Sequence, residues 1–163
     1  MTETKLVLLA ADLAGYTRAA THEDALAIAG FLDPWYRACA DVLRARGGRI
    51  VKYMGDAVLA VFPEDRALDA VEAATELRAR LHAQRGSWRV ELGVNLHVAI
   101  VAAGEVGPDD DRRYDVLGSG VNHLFRMGAG AGIRISEPVY RQLPNERRGV
   151  WSKHRPPAMY TLD

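Results

Sequence analysis

At 163 residues, 48% of them hydrophobic, the chain can fill one core, so a single domain over residues 1–163 is expected. Its 21 Lys and Arg balance 21 Asp and Glu, leaving no basic surplus to displace counterions from a nucleic acid or to hold an anionic membrane; both partners are disfavoured. The lone Cys39 closes no internal disulfide and has no ligand cluster around it, which fits a reducing, cytoplasmic setting and argues against structural zinc.

The elements read off in chain order. Residues 5–11, KLVLLAA, form an apolar run of strand length that is buried on both faces and stops at Asp12. The run is too short to span a bilayer. A Gly-containing turn, LAGYT, then opens a helix. From His22 to Arg46 apolar residues recur at helical spacing (Leu26, Ala29, Leu32, Tyr36, Ala40, Leu43), with Pro34 marking a fresh start or a kink and Gly47 and Gly48 ending the run. Arg49–Lys52 and Ala57–Phe62 read as a hairpin whose turn uses Gly55. Glu64 to Gln84 is an amphipathic helix, with Leu68, Val71, Ala74, Leu77 and Leu81 on its core side.

Residues 90–107 suit a long central strand, and RYDVLG its return strand after a charged turn. NHLFRM makes a turn or two of helix, GIRIS a strand and EPVYRQL a helix. The tail carries Pro156 and Pro157, so it is expected to supply only an edge strand. Met54 and Met127 read as packing residues. The mixture predicts an α/β (α+β) fold with a helix-covered, largely antiparallel sheet.

Six polar side chains are candidates for chemistry, four of them at strand ends or turns and two on one helix. Asp12, beside the backbone N–H groups of Ala14, Gly15, Tyr16 and Thr17, suits a cation and a phosphate together, the carboxylate taking the metal and the amides the anion; singly, it better suits a helix N-cap. Asp56, on the hairpin turn, is a second hard carboxylate, and convergence of the two would make a two-ion site for phosphoryl transfer. Asn122 and Arg126 lie four apart on one helical face, an amide to orient a sugar and a guanidinium to meet charge on phosphorus. Lys52 and Asp115 offer a donor and an acceptor that match the ring nitrogen and amino group of adenine. Each also suits a plain solvated position. His97 is read as a satisfied core histidine, and the other histidines lack ligand spacing.

Taken jointly, ADLAGYT, GGRIVKYMGDAVLAVF, GVNLHVAIVAAGEVG and YDVLGSGVNHLFRM resemble the class III nucleotide cyclase catalytic domain, with ISEPVYRQL and PPAMY extending the likeness to about residues 6–162. The resemblance implies a ferredoxin-like, palm-type sheet. It implies that Asp12 and Asp56, with the Leu13 carbonyl, hold two Mg²⁺ or Mn²⁺ ions. Lys52 and Asp115 would read adenine, Asn122 orient the ribose and Arg126 stabilise the pentavalent phosphorus. Lys153 or Arg155 would meet the distal phosphates. The implied reaction is ATP to 3′,5′-cyclic AMP and pyrophosphate in a homodimer with shared sites, where the hairpin hands Lys52 to one site and Asp56 to the other. Rival expectations are a cyclase-like binding module without turnover and a cyclase for GTP or a pyrimidine nucleotide. The chain departs from the family pattern at Ala99, where glycine is usual and a methyl is expected to crowd the backbone.

Overall fold

The computed structural model describes residues 1–154 and 158–163. Eight strands, β1 (Thr2–Ala14), β2 (Arg49–Met54), β3 (Ala57–Pro63), β4 (Glu91–Val106), β5 (Arg113–Leu117), β6 (Gly132–Ser136), β7 (Ser152–His154) and β8 (Met159–Leu162), form one sheet in the order β2-β3-β1-β4-β6-β8-β7, with β5 also paired to β4. Among the described residues only the β4–β6 pairing is parallel. The helices are α1 (Tyr16–Ala20), α2 (Ala25–Ala45), α3 (Ala67–Gln84), α4 (Ser119–Arg126) and α5 (Glu137–Gln142). This is the expected largely antiparallel, helix-covered sheet.

Strand β1 explains the layering. Val7, Leu9, Ala11 and Leu13 point into the larger core, where α2, α3 and α5 pack, while Leu8 and Ala10 point into a smaller cluster with Val101, Val116, Leu124 and Met127 beneath α4. Period-two alternation with both sides covered is what an apolar run buried on both faces predicts. The strand does not stop at Asp12, however. Its ladder with β4 continues through Asp12↔Gly93 to Ala14↔Glu91, because pairing to a longer partner carries a strand past the end of its own apolar run.

Three other expectations are corrected. Helix α2 is one continuous helix through Pro34, so the proline marks no fresh start. Pro34 and Gly30, the residue whose carbonyl the proline leaves unpaired, are both exposed, which leaves that carbonyl open to solvent. Met54 is 36% exposed at the hairpin tip rather than packed, whereas Met127 is buried as read. The tail contributes an edge strand, β7, but also the interior strand β8, paired on one side to β6 and on the other to β7. The two prolines lie outside the described residues. Ala99 lies over the bare backbone of Gly120, which gives its methyl room. Among the described residues no helix is long and apolar enough to cross a membrane.

Candidate active site

Asp12 continues the Leu8, Ala10 series of β1 and therefore opens on the α4 face, while Leu13 turns into the main core. The β2–β3 hairpin brings in Asp56. Its turn needs a left-handed residue, which Gly55 supplies at φ 62°. Helix α2 then clamps the turn: Trp35 Nε1 donates to the Asp56 carbonyl at 3.3 Å, and the Tyr36 hydroxyl donates to the Gly55 carbonyl. So held, Asp56 Oδ2 accepts the Leu13 backbone N–H at 2.9 Å, which places the second carboxylate beside the first. Asp12 records that neighbour. Its carboxyl is pushed up chiefly by desolvation, further by the charge of Asp56, and is drawn back by Arg134.

The amides at the end of β1 are less free than expected. Ala14 is still in the strand ladder, and the Leu13 N–H is taken by Asp56. Gly15 is the N-cap of the five-residue α1, so Asp12 is not a cap; Tyr16 and Thr17 are the first helical residues. The Tyr16 ring packs toward the main core beside Trp88.

A bulge positions Lys52. The β2–β3 register shifts between Ile50↔Ala60 and Lys52↔Leu59. Val51 is squeezed out of step, so Lys52 shares the α4-side face with Leu59 instead of following Ile50 into the main core. There Lys52 Nζ meets Asp115 Oδ2 of β5 at 2.8 Å, across 63 residues of sequence. Asn122 and Arg126 are both exposed on α4, with Arg126 Nε donating to the Asn122 carbonyl at 3.3 Å. The structure thus joins Asp12 with Asp56 and Lys52 with Asp115. Among the described residues it makes no polar contact between Arg126 and any of those four. Lys153 lies on the edge strand β7 with its ammonium over the Tyr160 ring, and Arg155 falls outside the described residues.

Sequence reading missed the polar floor beneath Asp12. Asn95 and Arg134, adjacent on the parallel β4–β6 pair, are both buried. Arg134 Nε donates to Asn95 Oδ1 at 2.6 Å, and Asn95 Nδ2 donates to the carbonyls of Leu124 at 2.9 Å and Gly128 at 3.0 Å, tying the strands to the end of α4. The available signal was a polar residue in the middle of each apolar strand, VNL and IRI. A cavity of about 90 Å³ separates this floor from Asp12, Ala57 and Phe125.

The donor set fits divalent ions of the hard class: two carboxylates side by side, with an adjacent backbone carbonyl at Leu13. No group of three or more His, Cys, Asp or Glu converges among the described residues, so any ion here takes its remaining ligands from water or substrate.

His97 is satisfied as read but half-buried rather than in the core, its Nδ1 2.9 Å from the Ser136 hydroxyl and its ring 4.6 Å from that of His123. Burial first, and the neighbouring His123 second, lower its pKa to about 4. The unfolded chain, with an ordinary histidine near 6.5, therefore binds more protons between those values, and stability falls as pH drops through that window. Urea unfolding at pH 4.5 and 7 is expected to show a loss of about 1–2 kcal/mol from this residue, absent in His97→Gln. An equal loss in the variant would assign the acid sensitivity elsewhere.

Residues 2–156 match the adenylate and guanylate cyclase catalytic domain family. The chain is similar to an adenylate cyclase of Anabaena cylindrica, 27% identical over 154 residues, covering 85% of this chain and 31% of that protein. It thus spans less than a third of that relative. In three dimensions it is similar to the guanylyl cyclase Cya2, with a TM-score of 0.87 and 22% identity over 98% of this chain and 92% of the other. It is equally similar to the adenylyl cyclase CyaB from P. aeruginosa, with a TM-score of 0.86 and 20% identity over 99% and 95%. Those two likenesses speak to the fold. On the family match, this chain belongs to the adenylate and guanylate cyclase catalytic domain family and is a class III nucleotide cyclase domain.

Proposed function

We propose that this domain is an adenylate cyclase, forming the bond from the ribose 3′-oxygen to the α-phosphorus of ATP and releasing pyrophosphate, in a homodimer whose two sites are each shared between copies. The observation that carries the choice of base is the 2.8 Å pairing of Lys52 with Asp115, which presents a donor and an acceptor side by side. Adenine offers an acceptor at its ring nitrogen and a donor at its amino group; guanine offers the reverse.

Asp12 and Asp56, with the Leu13 carbonyl, would hold two Mg²⁺ or Mn²⁺ ions, which when bound lower the charge of the triphosphate and favour the 3′-alkoxide. Asn122 orients the ribose through its amide. Arg126, with no carboxylate partner among the described residues, brings a guanidinium to the charge that grows on the equatorial oxygens. The backbone N–H groups of Tyr16 and Thr17 are the first of α1 and free to meet phosphate oxygens.

The homodimer is supported by where apolar side chains stay exposed: Met54 on β2 beside Lys52, Leu117 on β5 beside Asp115, and Phe125 on α4 beside Arg126. Large apolar groups next to polar site residues suit a face that a second copy covers.

The test is product formation. With Mn²⁺ and ATP the domain is expected to release cyclic AMP and pyrophosphate in equal amounts, with GTP turned over at least about tenfold more slowly. Lys52→Glu combined with Asp115→Cys is expected to lower the ATP-to-GTP ratio of kcat/KM by about tenfold or more. An unchanged ratio removes the pair from base reading, a preference for GTP or CTP overturns the substrate, and tight ATP binding without pyrophosphate release makes the domain a binding module.

A further inference from the structure

Arg134 is a buried cation in an unusual setting. Its three hydrogen bonds go to neutral oxygens: Asn95 Oδ1 at 2.6 Å, the Gly130 carbonyl at 3.1 Å and the Ala131 carbonyl at 3.4 Å. Among the described residues no carboxylate pairs with it, and the charged group that acts on it is Asp12. The two side chains converge on one point: a methyl added to Gly93 would lie 2.6 Å from Asp12 Oδ1 and 3.4 Å from Arg134 Nη2. A buried guanidinium without an ion-pair partner is costly to keep, and a neutral amide or an apolar chain would fill the same floor without that cost. Its charge therefore needs a use.

We infer that Arg134 is a resident cation of the metal site, which offsets one of the two carboxylates so that divalent ions are held weakly until the phosphates of a nucleotide join them. The inference rests on Asp12 and Asp56 being the metal carboxylates. Asp12 and Asp56 alone present two negative charges; with Arg134 behind Asp12 the sum is a single negative charge. A divalent ion arriving alone meets a nearby positive charge on the buried Arg134, whose field is screened less than that of a surface cation. An ion arriving with the triphosphate brings its own compensating charge. Arg134 is a positioning residue in this account: it touches neither substrate nor ion and acts through Asp12.

The experiment is Mn²⁺ binding without nucleotide, followed by the paramagnetic resonance of the free ion, with circular dichroism melts as a check on folding. Arg134→Gln, which keeps a donor for Asn95 and removes the charge, is expected to bind Mn²⁺ about tenfold more tightly than the native chain. Arg134→Lys restores the charge and is expected to behave like the native chain, which a purely structural role would not produce. Ala129→Lys adds a second cation at the exposed rim of the same cavity without touching the buried network, and is expected to weaken Mn²⁺ binding severalfold. A folded Arg134→Gln that binds no more tightly overturns the inference. So does Ala129→Lys with native affinity, which decides the matter if Arg134→Gln does not fold. Asp12→Asn separates the two layers: it is expected to lose Mn²⁺ binding, and native binding in that variant would overturn the metal-site reading and take this inference with it.

Discussion

Mixing Asp56→Ala with Arg126→Ala is expected to restore cyclic nucleotide formation that neither variant has alone. Asp56 sits on the β2–β3 turn against the Leu13 N–H, and its loss removes one of two adjacent hard ligands. Arg126 stands exposed on α4, and among the described residues its side chain hydrogen-bonds only to the Asn122 carbonyl of its own helix. Each substitution alone is expected to cost at least about 10²–10³ in kcat, the scale for removing a group that meets charge developed in the transition state. In a two-fold dimer with shared sites, a mixed pair carries both lesions at one site and none at the other. Random pairing of equal amounts makes half the dimers mixed, so about a quarter of native activity should return. The readout is cyclic nucleotide formed per dimer, with heterodimer formation verified by differential tags. Mixtures in which heterodimers form and stay inactive would show that one chain supplies the whole site.

Gly93→Ala is expected to damage the fold and the site together. The added carbon would lie 2.4 Å from the Gly130 carbonyl oxygen and 2.6 Å from Asp12 Oδ1, both well inside contact distance. The Gly130 carbonyl cannot easily retreat, being held by Arg134 Nη2 at 3.1 Å, whereas the Asp12 carboxylate can turn about its own side chain although its backbone is fixed in the ladder opposite Gly93. Overpacking of a dense interior costs about 1–3 kcal/mol, and here part of the strain must be relieved by turning the Asp12 carboxylate away. The variant should therefore lose that much stability in urea unfolding and bind Mn²⁺ at least about tenfold more weakly. Gly30→Ala is the control. It lies inside α2 with open space at its missing side chain, and is expected to be neutral or to gain up to about 1 kcal/mol. A Gly93→Ala chain with native stability and native Mn²⁺ affinity would show that the close approach of Asp12 to β4 carries no function.

Much was legible in the residue order because local periodicity reports which face of an element is covered. The apolar run of β1, the hairpin around Gly55, the amphipathic α3 and the long β4 all follow from patterns of two or 3.6 residues with their punctuation. Four motif blocks in the right order were enough to name the family. The residues proposed for chemistry could also be nominated, Asp12, Lys52, Asp56 and Asp115 as polar groups at strand ends and turns, Asn122 and Arg126 by their spacing of four on one helix. What periodicity cannot carry is register and long-range packing. The bulge at Val51 that turns Lys52 toward Asp115, the continuation of β1 past Asp12, and the clamp of Trp35 and Tyr36 on the hairpin turn depend on partners far away in sequence. The pairing of Asn95 with Arg134 beneath Asp12 likewise exists only because β4 and β6 run parallel side by side. Sequence by itself determined the elements, the family and the candidate side chains; the tertiary structure alone decided which charges stand next to which, because electrostatic neighbours are set by distance in space and not along the chain.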